Sequence, residues 1–294
     1  MVSTYLTGLV GAGIGASLSP ALHEHEAAAL GLRYEYRLID VGELGVGVEQ
    51  APDLIRAARQ LGFDGLNITH PCKQAALGAL DELSPEVAVL GATNTVVFDG
   101  ARAIGHNTDW SGFARALRHG LPGAPLGQVV VLGAGGAGSA VCYALGRLGA
   151  DHVIVIDTDQ ARADGLADAL TPELGPARLA AAGIEALSSV LARADGLVHA
   201  TPTGMAGHPG NAVPARALVP DLWVADVVYR PLQTELLVAA HRAGCRTLDG
   251  GAMAVFQAAD AFRLFTGVAP STRRMFTHFA QLTSEEAADA RRAG

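Results

Sequence analysis

The chain has 294 residues, half of them hydrophobic and 17% charged, with a formal net charge of −8. That length supports two domains with a core each, and that composition excludes a largely disordered chain. The acidic balance, with no basic run, excludes a nucleic-acid binder, which needs clustered Lys and Arg against phosphates.

Cys72, Cys142 and Cys245 are widely spaced and form no C-x-x-C pair, which points to a reduced intracellular protein rather than a disulfide scaffold. The apolar stretch from Leu6 to Leu22 imitates a signal peptide. However, no Lys or Arg precedes it and Pro20 breaks it. No other stretch is apolar and long enough to span a bilayer. The expectation is a cytoplasmic protein with no membrane or nucleic-acid partner.

Short apolar runs alternate with helical patterns, the mark of an α/β chain. Strands are expected near Leu6–Val10, Tyr34–Ile39, Gly65–Thr69 and Thr95–Phe98. Helices between them should start at Pro20, near Ala51, at Pro71 and at Pro85, with Ser19 and Ser84 as N-caps. Residues 121–127 read as a linker or tight connection. Buried strands follow at Gln128–Leu132, Val153–Ile156, Gly196–Ala200 and Trp223–Val228, as in a parallel sheet covered on both faces. The last fifty residues look helical, notably Ala252–Phe265, and could pack back on the first domain.

The strand Val129–Leu132 runs into Gly133-Ala134-Gly135-Gly136-Ala137-Gly138, a G-x-G-x-x-G followed by an alanine-rich helix. Glycines there permit a tight turn and let a pyrophosphate approach the helix N-terminus. Asp157 ends the next strand, where a carboxylate can accept from an adenosine ribose. A second glycine run, Gly11–Gly15, has Asp40 at the end of its following strand. Its helix starts beyond the glycines, at Ser19-Pro20, so no helix end faces them. Ser17 and Ser19 instead suggest contacts to an oxyanion. Thr201, after Ala200, and Tyr229, after Val228, stand at strand ends of the second domain, where open parallel sheets bind ligands.

Oxidising an alcohol needs a group that exchanges the hydroxyl proton. Arginine cannot do so, whereas lysine can be tuned by its surroundings. Of the 21 basic residues only Lys73 is a lysine. It lies in Asn67-Ile68-Thr69-His70-Pro71-Cys72-Lys73, read as the first turn of a helix. Asp109, in Asn107-Thr108-Asp109, is its natural carboxylate partner, or merely a cap for the helix that follows. His23 and His25 point to different sides of a helix, and no metal-ligand spacing occurs.

These segments together, with Ser17-Leu18-Ser19-Pro20, Gly91-Ala92-Thr93-Asn94-Thr95 and Gly250–Gln257, resemble the shikimate/quinate dehydrogenase family over nearly the whole chain. The wording around Lys73 and Asp109 is most similar to the NAD-linked quinate/shikimate dehydrogenases of actinobacteria. The resemblance implies an α/β fold of two domains with the site in the cleft between them. One would be a substrate domain of residues 1–109, completed by helices from 247–294; the other would be a Rossmann-type dinucleotide domain of residues 110–246.

It also implies roles. Lys73 and Asp109 match the catalytic pair. Ser17 and Ser19 match the substrate-carboxylate hydroxyls, and Asn67, Thr69, Asn94, Tyr229 and Gln257 match further substrate contacts. Gly133, Gly135, Gly136, Ala137, Gly138, Asp157, Arg162, Thr201, Val228, Gly250 and Met253 fall to the cofactor, the last two near the nicotinamide. NADP-linked relatives usually carry a cation after the second strand of this domain; here the segment is Asp157-Thr158-Asp159, and two acids precede Arg162.

The expectation is therefore NAD-dependent oxidation of the C3 hydroxyl of quinate or shikimate, with no metal, by a monomer or homodimer. The alternatives are an NADP-dependent shikimate dehydrogenase of aromatic amino acid biosynthesis and an aminoshikimate or aminoquinate dehydrogenase.

Overall fold

The computed structural model describes residues 3–175 and 178–293, with side chains as far as Glu285. Two compact units emerge: Met1–Thr108 with Val255–Gly294, and Asp109–Ala254.

In the first unit β1 (Thr4–Gly11) leads through the glycine run into α1 (Ser19–Ala29), β2 (Arg33–Asp40), α2 (Ala51–Gln60) and β3 (Gly65–Ile68). A 3-10 turn over Ala75–Ala79 precedes β4 (Glu82–Leu83), α3 (Pro85–Leu90), β5 (Thr95–Asp99) and β6 (Arg102–His106). The sheet order is β2-β1-β3-β5-β6-β4. β5 runs antiparallel to both neighbours and turns into β6 through a hairpin whose Gly100 sits at φ +59. Val10, Ile55, Leu66, Ile68 and Val96 are fully or almost fully buried in the core of this unit.

α4 (Thr108–Gly120) opens the second unit. β7 (Gln128–Leu132), α5 (Gly136–Leu148), β8 (His152–Asp157), α6 (Gln160–Leu174), β9 (Leu179–Gly183), α7 (Leu187–Leu191), β10 (Gly196–His199), β11 (Trp223–Asp226), α8 (Glu235–Arg242) and β12 (Thr247–Leu248) follow. All strand pairs are parallel in the order β12-β11-β10-β7-β8-β9. That is the doubly wound dinucleotide-binding order, with its switch point between β7 and β10.

α9 (Gly250–Thr266) then leads back into the first unit, where α10 (Thr272–Ala293) packs on α1. Gly65 is required on β3 because a Cβ there would strike the Phe265 ring of α9. Arg274 on α10 grips the fully buried Glu26 carboxylate of α1 through Nε and Nη2, at 2.7 and 2.6 Å. Among the described residues no helix is long and apolar enough to cross a membrane.

Three expectations are corrected. No helix starts at Pro71: the Lys73 carbonyl accepts from Thr93 N–H at 3.1 Å, so it is unavailable to a helical ladder, and the segment forms turns before the 3-10 turn. Ser19 is not an N-cap but the first residue of α1; its N–H donates to Ser17 Oγ at 3.2 Å. Of the two readings of residues 121–127, the tight connection, here from α4 to β7, holds and a linker between the units does not. These residues lie inside the second unit, held by Trp223 Nε1 on the Pro125 carbonyl and by Arg246 on the Pro122 carbonyl, each at 2.9 Å. Ser84 does occupy the N-cap position of α3, yet its hydroxyl makes no capping bond.

His23, on α1, is buried among the rings of Tyr34, Tyr36, Phe262 and Phe265. Burial lowers its pKa from 6.5 to about 3. The folded chain therefore keeps it neutral over a range in which the unfolded chain takes up a proton. Its contribution to stability is complete above about pH 6.5 and falls by up to about 1.4 kcal/mol per unit as pH drops toward 3. Denaturant unfolding at pH 7 and pH 5.5 should show a smaller acid penalty in His23→Phe than in the wild type; equal penalties would refute the assignment.

Candidate active site

β7 is a buried apolar strand whose end, Leu132, passes into Gly133 at φ +112. A Cβ on Gly133 would lie 2.7 Å from the Ala200 carbonyl oxygen, and one on Gly138 would collide with the Gly133 carbonyl. Both glycines are therefore dictated by backbone packing. Gly135 is the N-cap and Gly136 the first residue of α5, and around Gly136 the space is open. Half-buried Ala137 follows in the first turn. The free N–H groups of this helix end make a cradle for an anion.

Asp157, ending β8, accepts from Ala134 N–H at 2.7 Å and from Asp159 N–H at 3.0 Å. Burial acts to raise its pKa, but these N–H donors and the charge of Arg162 outweigh it and hold the carboxyl below the usual range. The Arg162 guanidinium lies beside the glycine loop, 3.5 Å from where a Cβ of Gly135 would stand.

The ends of β10 and β11 carry a cluster that sequence reasoning missed. Register sets His199 opposite Asp226. His199 Nδ1 meets Asp226 Oδ1 at 3.0 Å, and Nε2 meets Thr201 Oγ1 at 2.6 Å. Asp226 also accepts from Thr234 Oγ1 at 2.7 Å and from Val228 N–H at 3.0 Å. Thr201 and Val228, both expected at the cofactor, are thus pinned by one buried pair. The available signal was that two apolar strands each end on a polar residue.

Half-buried Tyr229 follows Val228. Gly250, at the start of α9, comes so close to Val227 and Val228 that a Cβ would strike their carbonyls. Met253 lies one turn on and is buried. Asp249, just before α9, accepts from Gly251 N–H at 2.9 Å, and burial raises its pKa.

In the first unit the glycine run after β1 is organised by Asp40 at the end of β2. Asp40 accepts from Ile14 N–H and Gly42 N–H, each at 2.9 Å, and these donors lower its pKa. Asp40 and Asp157 thus do the same structural work in the two units. In the first, however, the helix begins only at Ser19, so the loop presents the hydroxyls of Ser17 and Ser19.

Asn67 lies on buried β3, with Thr69 just beyond it. Asn94 is almost fully buried; its Nδ2 donates to Thr108 Oγ1 at 2.9 Å and its Oδ1 accepts from Thr108 N–H at 2.7 Å. Lys73 is half-buried on the turn after β3, tied through its carbonyl to Thr93, the neighbour of Asn94. Gln257 is half-buried on α9. Asp109 is the first residue of the second unit, 3% exposed, in the first turn of α4, where free N–H groups favour a carboxylate. Among the described residues no group of three or more His, Cys, Asp or Glu could hold a metal ion.

A doubly wound sheet with this glycine loop, joined to a second α/β unit, defines a nicotinamide-dinucleotide oxidoreductase. A family model described as the shikimate dehydrogenase substrate binding domain matches residues 9–96, and one described as the saccharopine dehydrogenase NADP binding domain matches residues 129–206. A shikimate dehydrogenase (NADP(+)) of Streptomyces avermitilis is 61% identical over 97% of this chain and 98% of its own. A quinate/shikimate dehydrogenase (NAD(+)) of Corynebacterium glutamicum is 49% identical over 96% of this chain and 100% of its own. The structure of quinate dehydrogenase from Corynebacterium glutamicum in complex with NAD superposes with a TM-score of 0.90 at 48% identity, covering 95% of this chain and 99% of that one. The chain belongs to the shikimate dehydrogenase family.

Proposed function

We propose that the chain catalyses reversible oxidation of the C3 hydroxyl of quinate and shikimate to the 3-dehydro acids, with NAD as its dinucleotide. The α5 N-terminus would hold the dinucleotide, whose nicotinamide would supply the hydride acceptor. Ser17 and Ser19 hold the substrate carboxylate, and Asn67, Thr69, Asn94, Tyr229 and Gln257 hold the ring and its hydroxyls. Lys73 takes the C3 hydroxyl proton while Asp109 orients its ammonium. Thr201, Val228, Gly250 and Met253 line the dinucleotide, the last two at the nicotinamide.

The observation that carries the choice of NAD is Asp157. Its carboxyl is held below the usual pKa range beside the glycine loop, where an anion accepts from a free ribose hydroxyl and repels a 2′-phosphate. The Corynebacterium relative, named for NAD, supports the same choice. A second reading, NADP with shikimate in a biosynthetic role, is favoured by the guanidinium of Arg162 beside Gly135 and by the name of the Streptomyces relative.

Initial rates of the purified protein with quinate and with shikimate, each with NAD and with NADP, decide between them. Preference for NAD with both acids oxidised is expected. Preference for NADP would overturn the cofactor assignment, and turnover of neither acid would overturn the activity.

A further inference from the structure

Tyr36 has no role in the proposed function, yet its hydroxyl bonds a residue that has one. It lies on β2, 6% exposed, packed with Leu9 and Ile14. Its Oη donates to Asn67 Oδ1 at 2.8 Å. Asn67 Nδ2 donates onward to Thr95 Oγ1 at 3.1 Å and to the Asn94 carbonyl at 3.3 Å. Thr95 Oγ1 donates to Asn94 Oδ1 at 3.0 Å, and Asn94 Nδ2 donates to Thr108 Oγ1 at 2.9 Å. The side chains of Tyr36, Asn67, Thr95, Asn94 and Thr108 form one hydrogen-bonded chain, and from Tyr36 to Asn94 each of its links donates in the same direction.

Such a chain fixes amide orientation as well as position. The Asn94 carbonyl can only accept, so the Asn67 NH2 must face it. The Asn67 oxygen must then face Tyr36, whose hydroxyl supplies the proton that a carbonyl needs. With that hydroxyl gone, the oxygen of a buried amide loses its partner, and the amide is held from its nitrogen side alone. Linked bonds of one direction also polarise one another, so a change at one end reaches the other.

We infer that Tyr36 is a positioning residue for the ring acid, orienting the Asn67 amide so that its contact to the ring hydroxyls and that of Asn94 act as one unit. The inference rests on the substrate roles proposed above for Asn67 and Asn94.

The test is steady-state kinetics of Tyr36→Phe, which removes only the oxygen. The KM for shikimate and quinate should rise roughly tenfold, the cost of one buried hydrogen bond, while the KM for the dinucleotide stays within twofold of the wild type. Thr95→Val, which removes the neighbouring partner of the same amide, should raise the same KM and keeps the idea testable if Tyr36→Phe does not fold. Combined with Thr95→Val, Tyr36→Phe should cost less than the product of the two single effects, because both act through the Asn67 amide.

Tyr34→Phe is the control. Its hydroxyl is also inside the fold, but it bonds His23 Nδ1 at 2.9 Å, off the chain of donors, and its loss should leave the KM for the acids unchanged. An unchanged KM in both Tyr36→Phe and Thr95→Val would overturn the inference. So would an equal rise in Tyr34→Phe, which would mark general loosening. A wild type that oxidises neither acid would overturn the proposed function itself; turnover with unshifted KM values would overturn this inference alone.

Discussion

Lys73→Ala is expected to lower kcat by about 10²–10⁴-fold, the usual worth of general acid–base help, with dinucleotide binding preserved. The argument starts from chemistry. An alcohol cannot release hydride to a nicotinamide without losing its proton, and among basic side chains arginine stays protonated and cannot take it. Lys73 is the sole lysine, half-buried, and its turn is held to Thr93 through the backbone rather than by its side chain alone. Truncation should therefore remove the ammonium while leaving the turn in place. Lys73→Arg should be nearly as slow as alanine, because it keeps the charge but cannot exchange the proton. Stopped-flow or steady-state rates, with dinucleotide fluorescence titration as the check on folding, would measure both. Near-normal turnover in a folded Lys73→Ala protein would refute the proposed role.

The largest stability effect is expected at Asp226. Its carboxylate accepts from Thr234 Oγ1 and Val228 N–H and pairs with His199, in a part of the second unit where it is 2% exposed. Alanine leaves these buried groups without their acceptor. A loss of about 3–5 kcal/mol in the unfolding of the second unit follows. The same change should raise the KM for the dinucleotide, since Thr201 and Val228 lose the pair that pins them, and leave the KM for the acid little altered. Denaturant unfolding and the two KM values test this together. A loss below about 1 kcal/mol would mean that the pair is not the anchor of these loops.

Both predictions involve residues of different legibility. Lys73 stood out by composition and Asp109 by motif, and the dinucleotide loop could be read from strand, glycines and helix in one continuous stretch. Asp226 and His199 could not be read in that way. They are 27 residues apart, and only the parallel register of β10 and β11 makes them neighbours. Tyr36 and Asn67 are 31 residues apart on strands that both pair with β1. The false helix at Pro71 has the same origin, because the competing bond to the Lys73 carbonyl comes from Thr93, well along the chain.

What the amino-acid sequence determined by itself is what short-range physics controls. Apolar runs made the strands of the second sheet, glycines made the turn in which a Cβ would strike backbone, and a carboxylate ended the following strand in each unit. Tertiary structure alone decided the rest: the antiparallel strand in the first sheet, the His199–Asp226 pair and the chain of donors through Tyr36. Those features depend on which strands lie side by side, and a buried polar group finds its partner across the sheet, where sequence distance has no meaning.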